Sequence, residues 1–292
     1  MLIIIRICLQ SFNIISVIIL PVLFMIGSIM KVATFNINSI KAHAVSFFEW
    51  LKEYNPDIVF LQEIKCETEN FLYFECESLG YQVAALGQKS YNGVAVLSKY
   101  PFTVTAKNLP DFPDDAARYL EVLINSPKGQ FYAAALYVPN GCSPDRNVEK
   151  EKLQYKLNWL DKLYQRVQRL MNTGHPIILG GDFNIMMSEV DVFDPNRFKD
   201  SPLYIKPVQD KLRALQYAGL HDAFRILHPK IEGFTFWDYT ANSFVTNSGL
   251  RIDYLLISAQ FAEQLRKCYA DKSLRMKDKP SDHTALVAEF ED

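Results

Sequence analysis

One short stretch, residues 177–188 (IILGGDFNIMMS), constrains the fold of this chain more than any other. Its Ile-Ile-Leu run is short and β-branched, which is typical of a buried central strand. Gly180 and Gly181 predict a sharp turn at the strand end, with room for a ligand. Asp182 and Asn184 are two residues apart, so in an extended segment both side chains face one pocket. An Asx turn in an ordinary loop explains the same residues, so other segments must decide.

Strand and helix signals alternate along the rest of the chain. Strand-rich blocks separated by helices favour an α/β fold in which two mixed β-sheets pack together with helices outside. The predicted strands cover residues 31–38, 57–62, 81–85, 93–98, 119–125, 131–138, 177–179, 234–239, 251–258 and 285–290. The predicted helices cover residues 39–54, 68–79, 148–171 and 208–218.

Composition excludes some classes of protein. With 292 residues, 49% of them hydrophobic, the chain can form one large domain or two small ones. The net charge of −2 excludes a polycation, so binding of nucleic acid would require a local basic face. The cysteines are scattered without a C-x-x-C pair, which argues against a disulfide framework or a zinc site and favours a reducing cytoplasm. They are Cys8, Cys66, Cys76, Cys142 and Cys268.

The first 29 residues differ from the rest of the chain. Residues 7–29 carry no charge and are long enough to cross a bilayer, which takes about 20 apolar residues. A signal peptide lacks support because no A-x-A cleavage site precedes Lys31. A membrane anchor would leave no linker before the strand predicted from Lys31 and would press the domain into the headgroups. We therefore favour an untranslated upstream extension, with Met30 as the start.

Polar residues that could carry chemistry lie just beyond the predicted strands. Each alone is more often a solvated turn residue, but together they are carboxylates, amides, one tyrosine and one histidine. Such a set fits Mg²⁺, which prefers oxygen ligands, whereas zinc sites use clustered Cys and His. A histidine paired with a carboxylate can stabilise developing negative charge. The set predicts metal-assisted attack of water on a phosphodiester. Its members are Asn36, Asn38, Glu63, Tyr137, Asn140, Asp182, Asn184, Asp253, Asp282 and His283.

Six motifs occur in one order between residues 35 and 283: FNIN (35–38), LQEIKC (61–66), YVPNG (137–141), GGDFNI (180–185), GLRIDYLLIS (249–258) and SDH (281–283). In these motifs the chain resembles the exodeoxyribonuclease III family of apurinic/apyrimidinic (AP) endonucleases, within the endonuclease/exonuclease/phosphatase superfamily. The resemblance implies a four-layer α/β sandwich over residues 30–292. It also implies Mg²⁺- or Mn²⁺-dependent cleavage of DNA 5′ to abasic sites, 3′→5′ exonuclease action on duplex DNA, and removal of blocking 3′ groups.

The resemblance also implies a metal site. By motif, Glu63 would hold the cation with Asn36 beside it, and Asp282 would complete the shell. Asp182, Asn184 and His283 belong to the same candidate metal-binding set. Some family members have Asp where Asn38 stands, and the loss of that charge favours a single cation here.

Catalytic roles follow from the same motifs. Asp182 would orient or deprotonate the attacking water, and Asn184 would hydrogen-bond the scissile phosphate. His283, oriented by Asp253, would polarise a phosphate oxygen. Tyr137 would contact the phosphate or, as a phenolate, assist the nucleophile.

Substrate contacts are expected around these motifs. In the resembling family a flipped abasic sugar lies against apolar side chains, which here would be Phe236, Leu250 and Ile252, although core packing explains the same residues. A tight apolar pocket excludes a normal nucleotide. The expected substrate-binding set also includes Arg251, Asn38, Asn140 and Lys152. Basic residues expected to contact DNA phosphates, some of them only solvated, are Lys65, Lys89, Arg146, Lys152, Lys272, Arg275, Lys277 and Lys279.

Other functions are compatible with the same fold. Members of this superfamily also cleave lipid and other non-DNA phosphodiesters, and the apolar start of the chain would suit a lipid substrate. The YVPNG and GLRIDYLLIS motifs instead favour the DNA-repair branch. A DNA-binding scaffold without activity would require missing catalytic groups, and none is missing. We therefore expect a monomeric cytoplasmic nuclease that acts on duplex DNA at abasic sites or 3′ ends.

Overall fold

The structure is a computed structural model that describes residues 29–142, 150–240 and 242–291. The predicted extension therefore lies outside the described residues, except for Ile29, which begins the first strand. Among the described helices, none is both long enough and apolar enough to span a bilayer.

Twelve strands form within the described residues. They are β1 (Ile29–Asn36), β2 (Ile58–Gln62), β3 (Gln82–Leu86), β4 (Val94–Ser98), β5 (Phe102–Lys107), β6 (Tyr119–Ser126), β7 (Gly129–Tyr137), β8 (Ile177–Asp182), β9 (Leu220–Asp222), β10 (Asp253–Ser258), β11 (Leu265–Asp271) and β12 (Ala285–Glu291).

Seven α-helices accompany them in the same residues. They are α1 (Ala44–Tyr54), α2 (Tyr73–Glu77), α3 (Lys150–Met171), α4 (Pro195–Phe198), α5 (Lys206–Tyr217), α6 (Ala223–Leu227) and α7 (Ala259–Gln264). Short 3₁₀ turns cover Thr68–Asn70, Glu189–Asp191 and Lys272–Met276.

The strands form two mixed six-stranded sheets. Sheet A has the order β11-β12-β1-β2-β4-β3, and sheet B has the order β5-β6-β7-β8-β10-β9. The pairs β1–β2 and β7–β8 are parallel, and the other pairs are antiparallel. Because β1, β2, β7 and β8 lie in the middle of the sheets, their carboxyl ends form a buried edge where polar side chains can converge.

Three apolar clusters define four layers. Between the sheets, Val32 and Phe60 of sheet A pack with Ile178 and Leu255 of sheet B. The outer face of sheet A packs against α1 and α2, and the outer face of sheet B packs against α3 and α5. This order of helix, sheet, sheet and helix confirms the predicted four-layer α/β sandwich.

The two glycines of the 177–188 stretch do not form the predicted turn. β8 continues through Gly180 and Gly181 to Asp182. A Cβ on Gly180 would lie 2.1 Å from the ring of Phe60, and a Cβ on Gly181 would lie 2.1 Å from the carbonyl oxygen of Leu136. These glycines are therefore required by close packing between and within the sheets, and they deliver Asp182 to the edge.

Several other elements differ from the sequence prediction. The helix predicted over residues 68–79 is a 3₁₀ turn followed by the short α2. The strand predicted over residues 234–239 is wrong, because this segment forms only isolated bridges from Phe236 to Leu250 and His283. Three strands at the edges of the sheets were not predicted: β5, β9 and β11.

Candidate active site

The centre of the site is one row of side chains across sheet B. Asp182 pairs in register with Tyr137 of β7 and with Asp253 of β10. Residues directly opposite one another on neighbouring strands project from the same face of a sheet. All three side chains therefore point into one cleft, and Asp182 and Asp253 are almost completely buried there, with 2% and 0% exposure.

His283 joins this row from sheet A. It lies two residues before β12, and a bridge to Phe236 fixes its backbone. Its Nδ1 is 2.8 Å from Oδ2 of Asp253, and its Nε2 is 3.8 Å from Oδ2 of Asp182. The ring packs edge-on against Phe236, with ring centroids 5.0 Å apart. Asp253 thus holds the imidazole with Nε2 directed towards Asp182.

The charges in this cluster are shifted by burial and by one another. Burial lowers the pKa of His283, but the carboxylate of Asp253, its hydrogen bond and the nearby Asp182 raise it to about 10. The neighbouring carboxylates therefore favour the charged form of the imidazole. Burial raises the pKa of Asp182; His283 opposes this effect, whereas Asp253 and Glu63 add to it. A raised pKa makes Asp182 a stronger proton acceptor than an ordinary aspartate.

Sheet A contributes Asn36 and Glu63. The side-chain nitrogen of Asn36 is 2.8 Å from Oε1 of Glu63 and 3.0 Å from Oδ2 of Asp182, so one amide bridges the two carboxylates. Its Oδ1 accepts a hydrogen bond from the backbone of Asn38. Burial raises the pKa of Glu63, but the hydrogen bond from Asn36 and the charge of Lys65 outweigh it and lower the pKa below the usual value. In this arrangement Asn36 organises the carboxylates rather than presenting its oxygen to a cation.

Asn38 and Asp282 lie next to these residues and are connected to Glu63 through hydrogen bonds and an ion pair. The side-chain nitrogen of Asn38 donates to Asp282 at 3.0 Å and to the hydroxyl of Tyr239 at 3.2 Å. Its side-chain oxygen accepts from Lys65, whose ammonium also lies 2.9 Å from Glu63. Asp282 is therefore linked to Glu63 through Asn38 and Lys65, and its bond to Asn38 occupies one of its oxygens.

Tyr137 is fixed by a residue that sequence reasoning missed. The guanidinium of Arg118 lies 4.7 Å from the centre of the Tyr137 ring, and its Nη1 donates to the Tyr137 carbonyl at 3.3 Å. Burial and the carboxylates of Glu63 and Asp182 raise the pKa of the phenol well above its usual value, although Arg118 lowers it. The phenol is thus a neutral hydrogen-bond donor. No sequence motif marks Arg118, which simply precedes an apolar strand.

Asn184 is held rigidly beside Asp182. It has a left-handed backbone with φ of +51°, and its backbone N–H donates to Asp182 at 2.9 Å. Its side-chain nitrogen donates to the carbonyl of Val138 at 3.0 Å. Asn140, in contrast, is exposed at the rim, where its side-chain oxygen accepts from the backbone of Cys142.

An apolar cluster adjoins His283. Phe236, Leu250 and Ile252 belong to it, as the sequence suggested, together with Met186 and Val192, which the sequence did not single out. Leu250 and Ile252 are buried, and Phe236 is partly exposed beside the imidazole. Phe236 is therefore the member of the predicted pocket that faces the cleft most directly.

Arg251 has a structural role instead of the expected substrate contact. Its side chain is completely buried and lies 2.6 Å from Asp191 and 2.8 Å from Asp222. Its guanidinium also stacks against Tyr254, 4.4 Å from the ring centre. Two buried carboxylates therefore neutralise this charge, and the pair with Asp191 ties β10 to the segment that carries Val192.

The predicted basic residues separate into two groups. Arg275 is buried and donates to the carbonyls of Ser281 and Trp237, so it supports the segment around His283 rather than facing solvent. Lys277 pairs with Glu49 at 3.1 Å. Arg146 lies outside the described residues. Lys89, Lys152, Lys272 and Lys279 are exposed, and Lys272 also donates to the side-chain oxygen of Asn247 at 3.1 Å.

Two sets of described residues could hold a divalent cation. Glu63 and Asp182 converge on Asn36 and offer only oxygen donors, which fits a hard cation. Asp182, Asp253 and His283 also bring ligand atoms within 4.8 Å of one another. In the second set, however, the hydrogen bond between His283 and Asp253 uses the Nδ1 of the ring. The first set therefore fits a cation better, and the second fits a histidine activated by a carboxylate.

A buried row of Asp, Asp and His beside a carboxylate–amide cluster, at the inner edge of two packed sheets, defines a phosphoesterase-type site. Comparison with known families agrees. The model of the endonuclease/exonuclease/phosphatase family matches residues 33–283, and the chain belongs to this family.

Three individual proteins that are similar to this chain are an exodeoxyribonuclease, an AP endonuclease and a 3′ phosphatase. The chain is 32% identical to exodeoxyribonuclease III of Haemophilus influenzae, over 89% of this chain and all of that protein. An AP endonuclease structure from Archaeoglobus fulgidus superposes with a TM-score of 0.82 at 33% identity, covering 89% of this chain and 99% of the other. A 3′ phosphatase from Neisseria bound to a product DNA hairpin superposes with a TM-score of 0.82 at 30% identity, covering 90% and 100%.

Proposed function

We propose that the protein is a metal-dependent DNA-repair nuclease of the exodeoxyribonuclease III type. It would cleave DNA 5′ to abasic sites and remove nucleotides from 3′ ends of duplex DNA. The observation that carries the proposal is the convergence of Glu63, Asp182, Asp253 and His283 in one buried cleft, next to an apolar pocket that includes Phe236. The names of the relatives support DNA as the substrate.

The side chains of this cleft divide the reaction between them. Asp182, whose pKa burial raises, accepts a proton from the attacking water as the water oxygen bonds to phosphorus. The bond from phosphorus to the 3′ oxygen of the preceding nucleotide breaks, and this leaving oxygen takes up a proton from solvent. His283, held as a cation by Asp253, stabilises negative charge that develops on a phosphate oxygen. Tyr137 donates its hydroxyl to the phosphate, and Asn184 positions the same group through its fixed amide. The site is built from one chain, so we expect activity from a monomer.

Mg²⁺, with Mn²⁺ as a substitute, is the cation we propose. Glu63 and Asp182 would hold it, and its positive charge would polarise the phosphate and favour ionisation of water. Asn36 holds those two carboxylates at the spacing that the structure shows.

The proposal is tested with duplex DNA that contains one abasic site. Incubation with Mg²⁺ is expected to give a single cut 5′ to the lesion, and chelator is expected to abolish it. An intact duplex with a recessed 3′ end measures exonuclease action in the same buffer. Absence of both activities, with cleavage of a sphingomyelin or other lipid phosphodiester instead, would refute the DNA-repair assignment.

Substitution of Glu63 tests the cation site. Glu63→Gln removes an ionised carboxylate but keeps its shape, so we expect the dissociation constant for Mn²⁺ to rise by about 10- to 100-fold. Calorimetric titration of the DNA-free protein measures this constant without relying on turnover. Glu67→Gln is the matched control, because Glu67 is exposed and bonds only to Asn70 among the described contacts. Equal Mn²⁺ affinity in the two variants would show that Glu63 does not bind the cation.

Substitution of Phe236 tests the lesion pocket. Phe236→Ala enlarges the apolar space beside His283, so we expect the preference for abasic over intact sites to fall by about tenfold. The measurement is the ratio of kcat/KM for an abasic duplex to that for an intact duplex. Phe198→Ala serves as the control, because Phe198 belongs to the same apolar cluster but packs on Phe193. An unchanged ratio for Phe236→Ala would show that Phe236 packs in the core and does not select abasic sites.

A further inference from the structure

A fully buried lysine lies beneath the active-site loops and has no part in the mechanism above. Lys156 projects from α3 and is 0% exposed. Its ammonium lies 2.7 Å from the carbonyl oxygen of Asn184, 2.9 Å from that of Pro202 and 3.2 Å from that of Asn140. These carbonyls belong to three different loops, two of which follow β7 and β8 directly.

Burial lowers the pKa of Lys156 to about 7, whereas the three carbonyl oxygens around its side-chain nitrogen favour the charged form. Three carbonyl acceptors require three N–H donors, which an ammonium has and a neutral amine lacks. Among the described residues, no carboxylate forms an ion pair with it. Desolvation makes a buried charge without a counter-ion unfavourable compared with an apolar side chain of similar length. Folding alone would therefore be served better by a methionine at this position.

The shortest of the three bonds holds a residue with an uncommon backbone conformation. Asn184 is left-handed, a conformation that asparagine adopts more readily than most residues other than glycine. Its carbonyl is held by Lys156, its N–H by Asp182 and its side chain by Val138. Release of the carbonyl would let Asn184 relax and would remove the N–H that fixes one oxygen of Asp182.

The chain also makes space for this lysine. Gly141 has φ of +77°, and a Cβ there would lie 3.1 Å from Cδ of Lys156 and 3.2 Å from Cβ of Pro202. The loop after β7 therefore closes tightly over the lysine stem. The same loop begins beyond Tyr137, so Lys156 links the positions of the Tyr137 and Asn184 segments.

We propose that Lys156 is a positioning residue for phosphodiester cleavage. By bonding to the loops after β7 and β8, it holds Asn184 and Asp182 in the positions needed to contact the scissile phosphate. This inference rests on the proposed nuclease function and assigns a role to a residue that touches no substrate. A misplacement of about 1 Å in such groups can cost roughly 100-fold in rate.

The test compares Lys156→Met, Lys156→Arg and the control Lys162→Met. Lys162 lies on the same helix and bonds to Gln165 near the surface. For Lys156→Met we expect kcat on the abasic duplex to fall by about 100-fold, with KM changed less than threefold. Lys156→Arg keeps the charge and the donors, so we expect it to recover at least tenfold of that loss. Each variant is assayed at a temperature about 15 °C or more below its unfolding midpoint, so that it is folded during the measurement.

A structural role alone would give a different pattern. Lys156→Met would then lower the unfolding midpoint but keep kcat within threefold of the wild type, and this result would overturn the inference. A rise in KM without loss of kcat would also overturn it. If Lys156→Met does not fold, Gly141→Ala displaces the lysine stem more gently, and a kcat equal to that of the wild type would overturn it. A wild-type protein that neither cleaves abasic duplex DNA nor degrades a recessed 3′ end would instead refute the proposed function.

Discussion

Replacement of Asp182 by Asn is expected to lower kcat on an abasic duplex by about 10³- to 10⁴-fold while DNA binding is retained. Asp182 is 2% exposed, and its Oδ2 lies 3.0 Å from Asn36 and 3.8 Å from Nε2 of His283. Asn184 can keep its backbone hydrogen bond to the amide oxygen of the new residue. The substitution therefore removes the proton acceptor with little change of shape. Because it also removes negative charge from the cleft, the affinity for DNA is not expected to fall.

Single-turnover cleavage measures the rate, and fluorescence anisotropy in the presence of chelator measures binding. Asp161→Asn is the matched control, since Asp161 is half-exposed on α3 and pairs with Lys211. If Asp182→Asn cleaved abasic DNA within tenfold of the wild-type rate, another group would have to accept the proton. If it lost both binding and cleavage, the effect would be on the architecture of the cleft.

Replacement of His283 by Gln is expected to lower kcat by about 10²- to 10³-fold. The substitution removes the cation that Asp253 holds, with Nδ1 and Oδ2 2.8 Å apart. Asp253→Asn is expected to cause a loss of similar size, because the imidazole then loses both its orientation and much of its charge. The double variant is expected to be little worse than either single variant, since the two residues act as one unit.

The same kinetic assay on the four proteins of this cycle measures the coupling. His221→Gln is the control for histidine loss, because His221 is exposed on β9 at the margin of sheet B. Fully additive losses in the double variant would mean that Asp253 and His283 act independently. Wild-type kcat in His283→Gln would exclude the imidazole from stabilising the phosphate.

The central architecture could be predicted from sequence because it depends on local patterns. Short β-branched runs such as residues 58–62 and 177–179 are buried on both faces, and both form strands in the structure. The site residues at their ends then converge because neighbouring strands end at one edge. The marginal strands gave weaker signals: β5 is mostly exposed, and β11 carries Arg266 and Lys267 at its exposed positions.

What could not be predicted depends on partners distant in sequence. Arg251 stands inside a motif, which suggested a substrate contact, but its carboxylate partner Asp191 is 60 residues away along the chain. Lys156 reads as one of several lysines on an amphipathic helix, and only the carbonyls of three loops distinguish it. Gly180 and Gly181 predicted a turn because their close neighbours, Phe60 and Leu136, belong to other strands.

The pairing of β1 with β12 has a consequence for protein synthesis. β12 lies between β1 and β11 in sheet A, and His283 lies two residues before it. A nascent chain that has not yet emerged from the ribosome beyond residue 290 cannot form this pairing. It therefore also lacks the support that β12 gives to the row of Asp182, Asp253 and His283. Premature termination or proteolytic clipping in this region would likewise leave sheet A without the strand that follows His283. Assembly of the site therefore depends on a strand close to the end of the described residues.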